Sequence, residues 1–378
     1  MKRLTTLALI VGLCTVVGLF LSSGPEDVAA AVASAGWGAL IVVLARVFAV
    51  GWAGLGWFVI FPKADRPSLW DCVVLRFVRE GINTLLPVAQ VGGDLVGARL
   101  LTRRGLGGGL AGASMFVDLM TQAVTQFLFT IAGLAALIWI AGDGPVVRTV
   151  AGGLVLAAPA LAIFFVIQRR GGHLLVQRLL NRFAAGRDWR ALGAVDVLYE
   201  GLRRLYGAPM RVGAGMGVHL VGWLIGTVEV YVALHFMGYP VTILEAIVIE
   251  SLAQAVRGAA FAIPGALGAQ EGGLIALCAI FDIPAEVALA LSLVKRLADL
   301  LVGVPGLFAW HALEGRPGND PERGGAVADS HRGDRQTAPY EAANEPGQAP
   351  SSPSAQADGG RLAEKGSLAE TGRLRKCA

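Results

Sequence analysis

Two carboxylates stand at matched places in a chain that is otherwise apolar enough for a bilayer. Asp94 closes the run 87–94 (PVAQVGGD) and Glu271 closes the run 264–271 (PGALGAQE), so each acid follows a proline by seven residues with glycines between. Proline and glycine interrupt a helix and free backbone N–H groups. A carboxylate at such a break can bind a proton, a cation or a polar headgroup. The expected break residues are Pro87, Gly92 and Gly93 in the first copy and Pro264, Gly265 and Gly268 in the second. Without a gap, the same register sets Arg79 and Glu80 opposite Val256 and Arg257, and Asp118 opposite Lys295.

Other ionisable groups share the apolar segments: Arg46, Arg76, Glu80, Glu229, Glu250, Arg296 and Asp299. Each charge costs about 2.5–3.5 kcal/mol at a helix centre on insertion scales, so the near balance of signs implies pairing inside a bundle or around a wet cavity. Arg46, Arg76 and Glu229 read equally well as functional groups or as structural ion pairs and snorkelling end residues. Lys295 or Arg296 can meet Asp299 on one helix face, and the register suggests a salt bridge between Asp118 and Lys295. Arg79 and Arg257, each one helical stretch before a proline, suit an anion such as phosphate or pairing with Glu80 and Glu250. Gln90, Gln270 and Asn83 add neutral polar groups near the breaks. The glycines 107–109 lack the lysine of a phosphate-binding loop and read as close helix contacts.

The elements that must carry these groups are membrane spans. Of the 378 residues, 54% are hydrophobic and 16% charged, and mean hydropathy is +0.60. A soluble domain is about a quarter charged. The pattern predicts an all-α polytopic membrane protein with about six full spans, near 4–22, 36–60, 110–140, 146–167, 213–237 and 287–311. Regions 69–102 and 242–281 are apolar but broken, and read as re-entrant helix pairs. The first span is read as retained rather than as a cleaved signal peptide. The transmembrane domain is 1–312, with repeat 1 near 66–140 and repeat 2 near 242–312. Residues 313–378 hold almost no large apolar side chains and are expected to be a disordered cytoplasmic tail.

Charge orients this scheme. The segment 168–211 holds nine arginines against three acids and is cytoplasmic by the positive-inside rule. Its stretch from Leu174 to Phe183 is amphipathic and suits the inner leaflet, or simply a topology-setting loop. The loops 23–35 and 141–145 carry acids and no Lys or Arg, as outside loops should. Both termini then lie inside and the broken pairs enter from opposite faces, so the repeats are inverted, an arrangement that implies transport around a midplane site.

The run 79–101 (REGINTLLPVAQVGGDLVGARLL) resembles a signature of the membrane proteins encoded with hopanoid biosynthesis. These are a branch of the flippase-like superfamily that includes the transmembrane domain of lysylphosphatidylglycerol synthases. The run 263–273 (IPGALGAQEGG) resembles that superfamily's Pro-Gly-x-x-Gly-x-x-Glu element, and the span with Lys295, Arg296 and Asp299 its final helix. The resemblance covers residues 1–313. It implies a bacterial inner-membrane protein that moves a lipid between leaflets or hands it on for export, with a hopanoid as the cargo of the branch. Where the synthases carry a large cytosolic aminoacyl-transfer domain, this sequence carries the tail 313–378, so aminoacylation of lipid is not expected.

The leading expectation is therefore a lipid translocator, not an enzyme, with Asp94 and Glu271 on the cavity and Lys295, Arg296 and Asp299 gating it or holding the headgroup. Its partners would be membrane lipids, hopanoid or phospholipid, and export or biosynthesis proteins. The net charge of +4 does not point to nucleic acid, since the basic residues sit between spans. The five histidines and four cysteines show no metal-ligand spacing, and no cofactor or metal is expected. Two alternatives stay open: a membrane-embedded enzyme or subunit of hopanoid or phospholipid headgroup synthesis, and a proton- or cation-coupled solute carrier. Oligomeric state is left open.

Overall fold

Ten α-helices and no strand make up the described residues of the computed structural model, which are 21, 25–86, 92–169, 189–261 and 263–314. All of them fall in the first of two units, Met1–Gly324; the second, Gly325–Ala378, lies outside the described residues, as do the expected first span 4–22, Leu21 apart, and the expected tail 313–378 past Glu314.

The helices are α1 (Pro25–Val59), α2 (Leu69–Leu85), α3 (Gly92–Arg103), α4 (Gly108–Ala141), α5 (Pro145–Arg169), α6 (Trp189–Tyr206), α7 (Pro209–Phe236), α8 (Ile243–Ala259), α9 (Ala269–Cys278) and α10 (Ala285–Glu314). Four of them, α1, α4, α5 and α7, are long and apolar enough to cross a bilayer. The 30 residues of α10 reach about 45 Å at 1.5 Å per residue, although Lys295, Arg296 and Asp299 interrupt their apolar run. The protein is thus an all-α polytopic membrane protein, and each expected span from 36–60 onward has its helix. The loop expected over 23–35 is instead helix from Pro25, with Glu26 and Asp27 in the first turn and a kink at Gly36, where φ is 43°.

Both apolar regions that the sequence marks as broken are helix pairs, and local chemistry sets their starts. Ser68 caps α2, accepting from the Asp71 N–H at 3.0 Å. Thr242 and Glu245 form a reciprocal capping box on α8. The first pair breaks after Leu86, across residues 87–91, which include Pro87 and Gln90 and lie outside the described residues. The second breaks at a 3-10 turn, Pro264–Ala266, where Gly265 (φ 61°) and Gly268 (φ 79°) hold left-handed backbone, a conformation open to glycine. The first pair returns to where it began: Arg104, just past α3, forms an ion pair with Asp71 in the first turn of α2.

Two apolar clusters fix the pairs at opposite ends of the long helices. One joins Trp57 at the end of α1, Leu75 of α2, Leu101 of α3 and Ala111 at the start of α4. The other joins Ala35 near the start of α1, Leu137 near the end of α4, Ile249 of α8 and Leu277 of α9. Between hydrocarbon-facing helices, close backbone approach does much of the holding. A Cβ on Gly81 of α2 would strike the Gly303 carbonyl oxygen of α10, and one on Gly306 would strike the Phe77 carbonyl oxygen.

The expected surface-lying segment corrects in part. Its stretch 174–183 lies outside the described residues, but α6 lays one face on α4. There Gly201 meets the Gly109 carbonyl and Val197 covers Gly109, while Leu202 and Leu205 are buried. Of the glycines at 107–109, Gly109 is therefore a close helix contact, whereas a Cβ on Gly107 would meet nothing within 4 Å.

Candidate functional site

Between the two apolar clusters lies a layer of charge. At about 1.5 Å per residue, Arg46, Asp118, His219, Glu229, Lys295 and Asp299 all fall within about 10 Å of the midpoints of their helices. A cavity of about 340 Å³ opens in this layer, and both helix pairs form its wall: Arg79, Asn83 and Asp94 from the first, Arg257, Gly258 and Gly265 from the second.

On the side of the first pair, Arg79 is 1% exposed and is held by two carboxylates. Its Nε donates to Asp94 Oδ1 at 2.8 Å and its Nη1 lies 2.8 Å from Asp118 Oδ2. The Trp57 ring covers the guanidinium, 4.9 Å from its centroid. Asn83 clamps the start of α3, donating to Asp94 Oδ2 at 3.2 Å and accepting from the Gly93 N–H at 2.7 Å. Gly93 has to be glycine, because a Cβ there would collide with the Arg79 carbonyl oxygen. Asp118 also accepts from Gln122 Nε2 at 2.9 Å and lies 3.0 Å from His219 Nε2. Arg76 donates to Gln122 Oε1 at 3.0 Å and sits 3.6 Å from Glu80.

A six-membered network closes the other side. Lys295 Nζ donates to Glu250 Oε2 at 2.8 Å and to Glu229 Oε2 at 3.1 Å. Arg46 reaches Glu229 at 2.9 Å and Asp299 at 3.3 Å. Arg257 donates to Asp299 Oδ2 at 3.2 Å. Of these, Arg46, Arg257, Glu229 and Glu250 line the cavity.

Glu271 is buried and bound apart from this space. Its Oε2 accepts from the Gly268 N–H at 2.7 Å, capping α9, and its Oε1 accepts from Arg296 Nε at 2.7 Å and Ser292 Oγ at 3.0 Å. Arg296 also donates to the Gly265 carbonyl at 3.2 Å, and Gln270 donates to Ser292 at 3.3 Å. The two register-matched carboxylates thus differ in support. Asp94 takes its cation from its own helix pair, whereas Glu271 takes it from α10 and does not line the cavity.

Several expected pairs are replaced. Asp118 and Lys295 do not meet, since Arg79 and His219 hold the first and Glu229 and Glu250 the second. Neither Lys295 nor Arg296 pairs with Asp299, whose partners are Arg46 and Arg257. Arg79 pairs with Asp94 and Asp118 rather than Glu80, and Arg257 with Asp299 rather than Glu250. For Arg79, Arg257 and Asp299, tertiary neighbours outcompete sequence neighbours. The sequence leaves Arg46 and Glu229 open between a functional role and an ordinary ion pair, and gives His219 no role. A signal was present: Asp118, Gln122 and Gln126 recur every four residues on α4, as do His219 and Trp223 on α7, a polar stripe on each helix.

Such a site can hold a polar or charged group at mid-depth by exchanging one ion-pair partner for another, without leaving a bare charge. Neither the curated proteins nor the solved structures include a match to this chain. The model of one family, described as the lysylphosphatidylglycerol synthase TM region, matches residues 6–306. That match takes in both helix pairs and every group of the cavity, and the chain belongs to that family.

Proposed function

We propose that this protein carries a polar lipid between the leaflets of the bacterial inner membrane, with both termini in the cytoplasm. The headgroup crosses through the charged cavity while the acyl or polycyclic part stays in the lipid. The two helix pairs gate the cavity from opposite ends as inverted repeats, near 66–140 and 242–312. The cargo is a hopanoid or a phospholipid, and the protein acts as a carrier rather than as an enzyme, alone or with export or biosynthesis partners.

One observation carries this reading. The cavity of about 340 Å³ sits at mid-length of the helices and is lined by both signs of charge, with wall residues from both pairs. Its size falls within the usual range of small-ligand sites, about 300–1,000 Å³. Its wall also includes apolar residues, Ala49, Val50 and Ala53 of α1 and Ala123 of α4, which suits an amphiphile better than a sugar or an ion.

The test is reconstitution into liposomes with a fluorescent lipid whose outer-leaflet copies are chemically quenched. Asp94→Asn and Arg257→Gln are each expected to slow lipid movement at least tenfold; unchanged rates in both remove the site assignment. In a deletion strain, a lipid made in normal amount but retained in the inner membrane supports transport. A missing lipid with its precursor accumulating replaces transport with headgroup synthesis.

A further inference from the structure

The two sides of the cavity differ in charge. On the side of α8 and α10, Arg46, Arg257 and Lys295 face Glu229, Glu250 and Asp299, cation for carboxylate. On the side of α2 and α3, only Arg76 and Arg79 face Glu80, Asp94 and Asp118. Three carboxylates there share two cations, in surroundings where an unbalanced charge is strongly disfavoured.

The side chain set against that surplus is His219. Its Nε2 lies 3.0 Å from Asp118 Oδ1, it is 4% exposed, and it lines the cavity. The backbone makes room for the ring: a Cβ on Gly56 of α1 would come within 2.8 Å of its Cε1 and Nε2. Asp118 of α4 faces the ring, with Arg79 and Arg76 of α2 on the same carboxylate and the buried thiol of Cys72 nearby. From α1 comes Gly56, and Arg46 lies further along, paired to Glu229. The charges brought to α7 by α8 and α10 arrive two to three turns away, Glu250 at Gly226 and Lys295 at Glu229.

We infer that His219, seated on Asp118, is a proton-binding site that completes the charge balance of the cavity and links lipid movement to the proton gradient. The imidazolium is the matching cation for the third carboxylate. The proton reaches the ring from water when the cavity opens to one face and returns to water when it opens to the other. This coupling rests on the carrier reading; the proton-binding site does not.

Two experiments separate them. In nanodiscs with isotope-labelled histidine, the signal lost in His219→Gln identifies this ring. It is expected to be imidazolium at pH 7.5. Glu80→Gln removes the surplus carboxylate without touching the ring and is expected to return it to neutral imidazole. A neutral ring in the wild type, or an imidazolium unmoved by Glu80→Gln, overturns the site. In liposomes with a gradient of one pH unit, one proton per lipid shifts the steady leaflet ratio by up to tenfold, and His219→Gln abolishes the shift. A wild-type ratio that ignores the gradient overturns the coupling. Absence of any lipid movement overturns the carrier reading, while the histidine spectrum still decides the proton site.

Discussion

Lys295→Met tests whether the inner network is held by its central cation. Lys295 is 3% exposed and stands 2.8 Å from Glu250 and 3.1 Å from Glu229. At an effective dielectric constant of about 20 these contacts amount to about 6 and about 5 kcal/mol of attraction. Methionine has nearly the same shape, so little is lost in contact area. Removing the ammonium also relieves its own desolvation, worth several kcal/mol, which leaves a net loss of about 3–5 kcal/mol, the usual cost of orphaning a buried charge. The second variant, Lys295→Met with Glu250→Gln, removes the orphaned acid as well. Glu229 still has Arg46 at 2.9 Å, so the double variant is expected to recover at least half of the loss. The measurement is chemical unfolding in detergent, followed by circular dichroism. A single-variant loss under about 1 kcal/mol, or a double variant no more stable than the single, would refute this account of the network.

Two further predictions concern how the helix pairs sit. Gly81→Ala forces a Cβ against the Gly303 carbonyl and should destabilise the protein by about 1–3 kcal/mol. Gly272→Ala, where a Cβ meets nothing within 4 Å, should be neutral or stabilising by up to about 1 kcal/mol; equal effects in the same unfolding assay would contradict the close crossing of α2 and α10. In a background with the native cysteines replaced, Ser68→Cys and Thr242→Cys should react with an impermeant thiol reagent from opposite sides of the membrane. Labelling of both from one side would refute the inverted arrangement.

Much of the fold was legible because its signals are local. The glycines around Gly93 and Gly268 announce breaks, and the long apolar runs of α4, α5 and α7 cannot be mistaken for soluble helices. The start of α1 was hidden, since Pro25, Glu26 and Asp27 look like an exposed loop yet also suit the first turn of a helix. The membership of the charged layer was legible, but its pairing was not. Arg46 finds Glu229 and Asp299 from the far end of the chain, and no spacing rule reaches that distance. Matching Asp118 to Lys295 by register assumed that equivalent positions meet, whereas each is claimed by a nearer opposite charge on a neighbouring helix. His219 was passed over because histidines were judged against metal spacing, and its partner is a lone carboxylate on another helix.

The layout of the charged layer also bears on how the chain is made. Arg79 and Asp94 leave the ribosome almost together and can neutralise each other as their hairpin forms. Asp118 follows within one helix. On the other side, Arg46, Glu229 and Glu250 must all be accommodated before Lys295 is synthesised, because the central cation arrives on the last described helix. During that interval Glu250 is without Lys295, the cation that holds it in the folded protein, a state that membrane quality control can recognise. Completion of α10 is then the step that converts a set of inserted helices into a protected protein, and a chain truncated before Lys295 should be degraded rather than accumulate.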